Sequence, residues 1–197
     1  MIILKGDLLK TPFEIIAHQV NCQGKMASGV AKQIRERYPW AYKDYIDALN
    51  QHGADYMFGK SQLVWQGGHT ICNIFGQYNY GYDGQQYTDY SAINSAFREA
   101  INNYRDRDVD DLRQITIAIP YKIGCDRGGG DWKVMKSLLE NIEKDCYVVF
   151  VAYKSDWCDY NEDGVCTADE IKIDNSVCMS SMFSTDLDVE ISEYEDE

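Results

Sequence analysis

The sequence predicts an α/β fold with helices on both faces of a central sheet. Three observations carry that prediction. Short apolar or β-branched runs alternate with segments of helical periodicity from residue 1 to residue 153. Two of those runs, Ile115–Pro120 and Tyr147–Tyr153, are nearly continuous in apolar residues, as expected of strands covered on both faces. Two glycine-bearing loops, Asn21–Gly29 and Ile123–Gly130, leave apolar strands and enter helices, and ligands of such folds bind beyond the carboxyl ends of strands.

The elements follow in order. Met1–Lys5 and Phe13–Val20 read as strands, with Thr11-Pro12 as punctuation between them. Ser28–Tyr38 reads as a helix, because Val30, Ile34 and Tyr38 recur every four residues and Ala31 joins that face. Pro39 breaks the pattern, and Trp40–Gln51 forms a second helix stopped by Gly53. Gln62–Trp65 and Thr70–Phe75 flank Gln66-Gly67-Gly68-His69, which predicts a hairpin with a glycine turn. Gly76–Gln86, rich in Gly, Tyr, Gln and Asn, reads as a loop. Thr88/Asp89 resemble a helix cap, with the helix running through Tyr104. Arg105–Arg113 is a charged surface turn before the strand Ile115–Pro120. Asp131–Lys144 is helical, with Val134, Leu138, Leu139 and Ile142 at helical spacing, and Tyr147–Tyr153 is the last strand.

Composition bounds the rest. The chain has 197 residues, three prolines, fifteen glycines and a formal charge of −13. That length suits one domain with an appendage. Residues 1–153 carry 18 acids and 17 bases, whereas residues 154–197 carry 14 acids and 2 bases. The acidity therefore belongs to the tail, and a distant solvated tail is screened within about 10 Å. A nearly neutral body can still hold a phosphate through backbone amides. No apolar run is long enough to span a bilayer, and Met1–Lys5 does not begin a signal peptide, so a cytoplasmic protein without membrane contact is expected. The seven cysteines include no CxxC pair and read as reduced thiols.

Both glycine loops suit an anion. In the first, Gly24, Ala27, Ser28 and Gly29 allow a ligand close to the backbone just before a helix N-terminus. In the second, Gly128-Gly129-Gly130 follows Gly124-Cys125-Asp126-Arg127 and can form an anion-holding nest. The alternative is two flexible connections, since neither loop matches GxGxxG or the P-loop pattern.

Lys5-Gly6-Asp7-Leu8-Leu9, Ala17-His18-Gln19-Val20-Asn21-Cys22-Gln23-Gly24, Ser28-Gly29-Val30-Ala31, Ile119-Pro120-Tyr121-Lys122-Ile123-Gly124-Cys125 and Gly128-Gly129-Gly130-Asp131-Trp132 together resemble a macro domain. Within that family they are most similar to the subgroup that processes ADP-ribose 1″-phosphate. The resemblance covers about residues 1–153 and implies a three-layer α/β/α domain around a mixed sheet, with the acidic segment 154–197 outside it. It implies ADP-ribose or ADP-ribose 1″-phosphate as ligand, hydrolysis to ADP-ribose and phosphate, no required cofactor and no direct nucleic-acid contact. The alternative implied functions are a non-catalytic reader of free or protein-linked ADP-ribose and an ADP-ribosyl hydrolase.

Site residues follow from the same resemblance. Asp7, beside Leu8, would accept from the adenine amino group, or else is a turn residue. Asn21 would hold the distal ribose, or else caps its own loop. Gly24, Ser28, Gly29 and Val30 on one side, and Ile123, Gly124, Cys125, Arg127, Gly128 and Gly129 on the other, would bracket the diphosphate and terminal ribose. Tyr153 would stand near the adenine, or else is a partly buried aromatic. His18 would attack phosphorus or exchange a proton, or else is a core histidine. Asp126 is read from its place inside the second loop, where related domains more often carry a small residue; it would orient a water or the leaving oxygen, and Arg127 would neutralise a phosphate or pair with Asp126. Lys25 could reach a phosphate. Asp89 and Tyr90 are further polar candidates, with capping the other role for Asp89. His52 and His69 look structural. Relatives that release ADP-ribose from glutamate carry a lysine and an aspartate where this chain has Gln77 (or Gly76) and Gly128, which weakens that mechanism here.

The tail contains Asp159-Tyr160-Asn161-Glu162-Asp163-Gly164-Val165-Cys166-Thr167-Ala168-Asp169-Glu170, which fits D-x-[DN]-x-[DN]-G-x5-E and resembles an EF-hand or dockerin calcium loop. Asp159, Asn161, Asp163, the Val165 carbonyl, Thr167 and Glu170 would bind Ca²⁺. The alternative is a chance match in an acid-rich segment. A protein partner for the acidic tail is a further expectation.

Overall fold

The computed structural model describes residues 1–66, 68–106 and 114–154. The calcium-like loop 159–170, most of the acidic segment and part of the charged turn 105–113 therefore lie outside the described residues. Along the chain come β1 (Ile2–Lys5), a 3-10 turn (Leu8–Lys10), β2 (Ile15–Asn21), α1 (Gly29–Arg37), α2 (Pro39–His52), a single-turn α3 (Ala54–Met57), β3 (Ser61–Gln66), β4 (His69–Gln77), α4 (Tyr90–Arg105), β5 (Ile115–Pro120), α5 (Trp132–Cys146) and β6 (Val148–Lys154). The six strands make one sheet in the order β1-β6-β5-β2-β4-β3. Every pairing is parallel except the β3–β4 hairpin, so the sheet is mixed as expected.

Strand pleating explains the three layers. Ala17, Cys72, Ile74, Ile117, Ile119, Phe150 and Ala152 point to one face and pack against Ile93, Phe97 and Ile101 of α4 and Met135, Leu139 and Ile142 of α5. Ile16, Ile71 and Ala118 point to the other, against Ile34 of α1 and Ala41 of α2. Val20 and Phe75 continue that second face and meet Tyr45 of α2 and Met57 of α3. Parallel strands must be covered on both sides, which is why β2, β4 and β5 read as apolar runs rather than alternating ones.

Helix termini follow local chemistry. The Asp89 carboxylate accepts from the Ala92 amide at 2.8 Å and starts α4. Asp131 does the same for α5, accepting from the Lys133 amide at 2.7 Å. Gly53, at φ 82°, ends α2.

Four local expectations differ. Tyr147 does not start the last strand; it closes α5 in the left-handed region at φ 48°. Gly76 and Gln77 extend β4, because the neighbouring β2 offers a pairing partner up to Asn21↔Gln77. The 3-10 turn and α3 are too short to show a period in the sequence. Thr88 does not cap α4: it is buried, and its hydroxyl donates to the Gly124 carbonyl at 2.7 Å. Among the described residues, no helix is long and apolar enough to cross a membrane, and Cys22, Cys72, Cys125 and Cys146 are free thiols.

Candidate functional site

The carboxyl ends of β1, β6, β5, β2 and β4 open on one cleft of about 260 Å³. The first glycine loop and the start of α1 form one wall, and the second glycine loop forms the other. Of the residues named from the sequence, His18, Asp126, Asp7, Leu8, Asn21, Ser28, Gly29, Val30, Ile123, Gly124, Arg127 and Gly128 line it, with Lys25 and Tyr153. Gly24, Cys125 and Gly129 are not among its lining residues. Gly24 packs toward Ile46 of α2, Gly129 toward the backbone of Gln85 and Gln86, and the Cys125 thiol donates to the Ile123 carbonyl at 3.4 Å. Asp89 and Tyr90 also lie off the cleft; the Tyr90 hydroxyl accepts from the Asp131 amide at 2.6 Å. Among the described residues, no three His, Cys, Asp or Glu side chains gather to hold a metal.

The first loop is moulded around Asn21. Its Oδ1 accepts from the Gln23 amide at 2.9 Å and the Lys25 amide at 3.2 Å, while its Nδ2 donates to the Lys25 carbonyl at 2.7 Å. This is the loop-capping role. Tyr45, fully buried and stacked on Phe75, donates from its hydroxyl to the Asn21 carbonyl at 2.8 Å and fixes where β2 ends. Burial pushes the Tyr45 hydroxyl pKa up, so it remains a donor. Gly29 then begins α1 at φ 56°, with nothing within 4 Å of where a Cβ would stand. A side chain there would be strained and would project into open space. The Ser28 side chain makes no capping bond to α1, and the residue lines the cleft.

The second loop is tight for a different reason from the one its glycines suggest. A Cβ on Gly128 would overlap Thr88 Oγ1 and stand 2.5 Å from the Gly124 carbonyl oxygen. Gly128 is therefore glycine because the loop folds onto the protein itself. The Gly128 carbonyl accepts from the Tyr87 amide at 2.8 Å and the Thr88 amide at 2.9 Å. Gln19 supports the same point, donating from Nε2 to Thr88 Oγ1 at 2.9 Å and to Gln77 Oε1 at 2.5 Å. The supports Gln19, Gln77 and Thr88 carry a sequence signal only in retrospect. Gln19 lies within β2 and Gln77 ends β4.

Asp7 spends one oxygen on the Leu9 amide at 2.9 Å, capping the 3-10 turn, and the residue lies at the cleft edge. The Tyr153 hydroxyl accepts from the Thr11 hydroxyl at 3.0 Å. Its ring leaves Gly6, Asp7, Leu8 and Val30 a shared apolar-walled end of the cleft. At the opposite rim Arg127 lies over the Tyr82 ring, 4.6 Å from its centroid, rather than standing alone. Tyr80 and Tyr82, exposed residues of the aromatic loop, line the mouth and were not anticipated as lining.

His18 forms part of the floor. It is 1% exposed, with Nε2 2.7 Å from Asn73 Oδ1 and Nδ1 without a partner. Burial lowers its pKa to about 4 against the opposing pull of the Asn73 bond, so the ring is neutral at pH 7. A neutral imidazole with one bare nitrogen can accept a proton or a hydrogen bond, or act as a nucleophile.

Comparison with known proteins agrees with this architecture. The Macro domain family model matches residues 17–139. A curated relative from Saccharomyces cerevisiae, ADP-ribose 1″-phosphate phosphatase, is 36% identical over 63 residues, 31% of this chain and 35% of its own length. A DNA ADP-ribosyl glycohydrolase from Thermus aquaticus is 23% identical over 141 residues, 70% of this chain and 36% of its own. The chain thus spans about a third of the length of these relatives. The macrodomain of Mycobacterium tuberculosis DarG superposes with a TM-score of 0.61 at 26% identity, covering 77% of this chain and 97% of that one. With the family model matched over more than half of its residues and the same mixed sheet between two helical layers, the chain belongs to the macro domain family.

Proposed function

We propose that the cleft binds ADP-ribose and that the protein hydrolyses an ADP-ribose derivative, with ADP-ribose 1″-phosphate as the leading substrate. The observation that carries this reading is the convergence on one cleft of both glycine loops and of His18, a neutral, buried lining residue whose Nδ1 has no partner. Adenine fits the end walled by Leu8, Val30 and Tyr153, with Asp7 at its edge to accept from the exocyclic amine. The diphosphate would lie between the loops, drawn by the α1 N-terminus and by Lys25 and Lys122. Asn21 acts there through the loop it shapes.

In the reaction, water and ADP-ribose 1″-phosphate give ADP-ribose and phosphate. The bond from phosphorus to the 1″ oxygen breaks, and that oxygen leaves with a proton. His18 Nδ1 either takes the proton of the attacking water or attacks phosphorus itself, in which case water then cleaves the P–N bond and releases phosphate, with Asp126 at the rim orienting the water or the leaving oxygen. Release of phosphate on incubation with ADP-ribose 1″-phosphate tests the reading, with His18→Ala expected to abolish most of it. Retained ADP-ribose binding with neither phosphate release nor release of ADP-ribose from a linked substrate would identify a reader.

One observation favours a second reading. The Thermus aquaticus glycohydrolase matches more than twice as many residues as the yeast phosphatase. In that reading the same cleft hydrolyses the bond between the terminal ribose and an attached group. Assaying release of ADP-ribose from ADP-ribosylated DNA alongside the phosphate assay separates the two.

A further inference from the structure

Three polar side chains stand on one rung of an apolar sheet face. His18 on β2, Asn73 on β4 and Gln62 on β3 are register partners across the three strands. Their neighbours on that face, Ile16, Val20, Ile71, Phe75 and Val64, are all buried hydrophobics. A buried polar row is costly unless its groups are bonded. This row is bonded at every position but one. His18 Nε2 meets Asn73 Oδ1 at 2.7 Å, Asn73 Nδ2 donates to Gln62 Oε1 at 2.9 Å, and Gln62 Nε2 donates to the Asp44 carbonyl of α2 at 2.8 Å.

The polarity of this row is set from its far end. A backbone carbonyl only accepts, so Gln62 must turn its NH₂ to Asp44 and its oxygen to Asn73. Asn73 must then turn its NH₂ to Gln62 and its oxygen to His18. His18 is obliged to donate, which puts its single ring proton on Nε2. The remaining atom, Nδ1, is the buried and unpartnered one, on a residue of the cleft floor.

We propose that Asn73 and Gln62 are positioning residues for the cleft: anchored on the Asp44 carbonyl, they lock His18 as the Nε2–H tautomer and so present Nδ1 as an acceptor to the bound ligand or its attacking water. The inference rests on the reading of His18 as the acid–base group of the site. The charged groups sharing the cleft with His18 are Asp7, Lys25, Lys122, Asp126 and Arg127, beside the tyrosines Tyr80, Tyr82, Tyr121 and Tyr153. On β4 its facing partner, Asn73, is uncharged.

The test is ¹⁵N NMR of the full chain labelled at histidine, with the His18 signals assigned by their loss in His18→Gln. At pH 7 the wild type is expected to show a proton on Nε2 and none on Nδ1, and added ADP-ribose is expected to shift the Nδ1 resonance. Gln62→Met, at the half-buried end, frees the Asn73 amide to turn over, so the Nδ1–H tautomer should grow. Asn73→Asp keeps an acceptor but adds charge. The tautomer should persist while the His18 titration midpoint, and the acid limb of the turnover profile, move up together by about 1–3 pH units. A proton on Nδ1 in the wild type, or an Nδ1 resonance unmoved by bound ADP-ribose, would overturn the proposal, and the wild-type measurement decides even if a variant fails to fold. A correct tautomer and a ligand-sensitive Nδ1 in a protein without turnover would support the lock and overturn the hydrolase reading instead.

Discussion

Replacing His18 by Gln should flatten the acid limb of the protein's stability, because the native ring resists protonation. The folded value of about 4 lies below the ordinary 6.5, chiefly through burial. Between those values the unfolded chain takes up a proton that the native protein refuses, so stability is complete above pH 6.5 and drains away as pH falls toward 4. The gap of about 2.5 pH units, at about 1.36 kcal/mol each, is worth about 3 kcal/mol in full. Roughly 2 kcal/mol of it is lost between pH 7 and pH 5. Gln keeps an N–H donor for Asn73 Oδ1 and does not titrate. Urea unfolding of both proteins at pH 7 and pH 5 isolates the effect, since carboxylates and the other histidines contribute alike to each. The wild type should lose about 2 kcal/mol more than His18→Gln over that interval. Parallel losses would refute the argument that His18 is buried and neutral in the native state.

Other outcomes follow from the loops and the thiols. Gly128→Ala drives a methyl group into Thr88 Oγ1 and the Gly124 carbonyl. It should cost about 1–3 kcal/mol in a thermal melt and weaken ADP-ribose binding in calorimetry by tenfold or more, on the order of 1.4 kcal/mol. Tyr45→Phe removes the donor to the Asn21 carbonyl. A loss of about 1–2 kcal/mol is expected in urea unfolding, with weaker ligand binding because the first loop loses its anchor. Cys22 and Cys125 are pushed up to about 12 by burial. Both should resist iodoacetamide at pH 8 in the native protein and react once it is unfolded, as read by peptide mass mapping.

Much of the fold was legible because its strongest signals are local. Ile115–Pro120 announces a two-sided burial, and Leu138, Leu139 and Ile142 recur at helical spacing, although Val134, read into the same face, is exposed and Met135 is the residue that packs. Asp89 and Asp131 are caps whose chemistry acts within three residues. What could not be read depends on who the neighbours are. Tyr147 has a strand-like side chain, yet the chain must reverse there to bring β6 beside β5. Thr88 looks like a cap beside Asp89, and only the arrival of the second loop turns it into that loop's support. The glycines of 124–130 read as an anion-holding nest or a flexible connection, whereas Gly128 makes room for Thr88. His18 stood out by its type. Asn73 and Gln62 did not, because their alignment exists only once the register is known.

The direction of β6 has a consequence for the ionic atmosphere of the cleft. This strand runs parallel to β5 and β1, and its penultimate residue, Tyr153, lines the site. Residues 154–197, which follow Tyr153 in the sequence, carry 14 acids against 2 bases. That charge has the same sign as an incoming anion and repels it. Shortening the Debye length from about 10 Å at 0.1 M to about 3 Å at 1 M salt should relieve the repulsion, so the entry rate of ADP-ribose is expected to fall less steeply with ionic strength than Lys25, Lys122 and Arg127 alone would dictate.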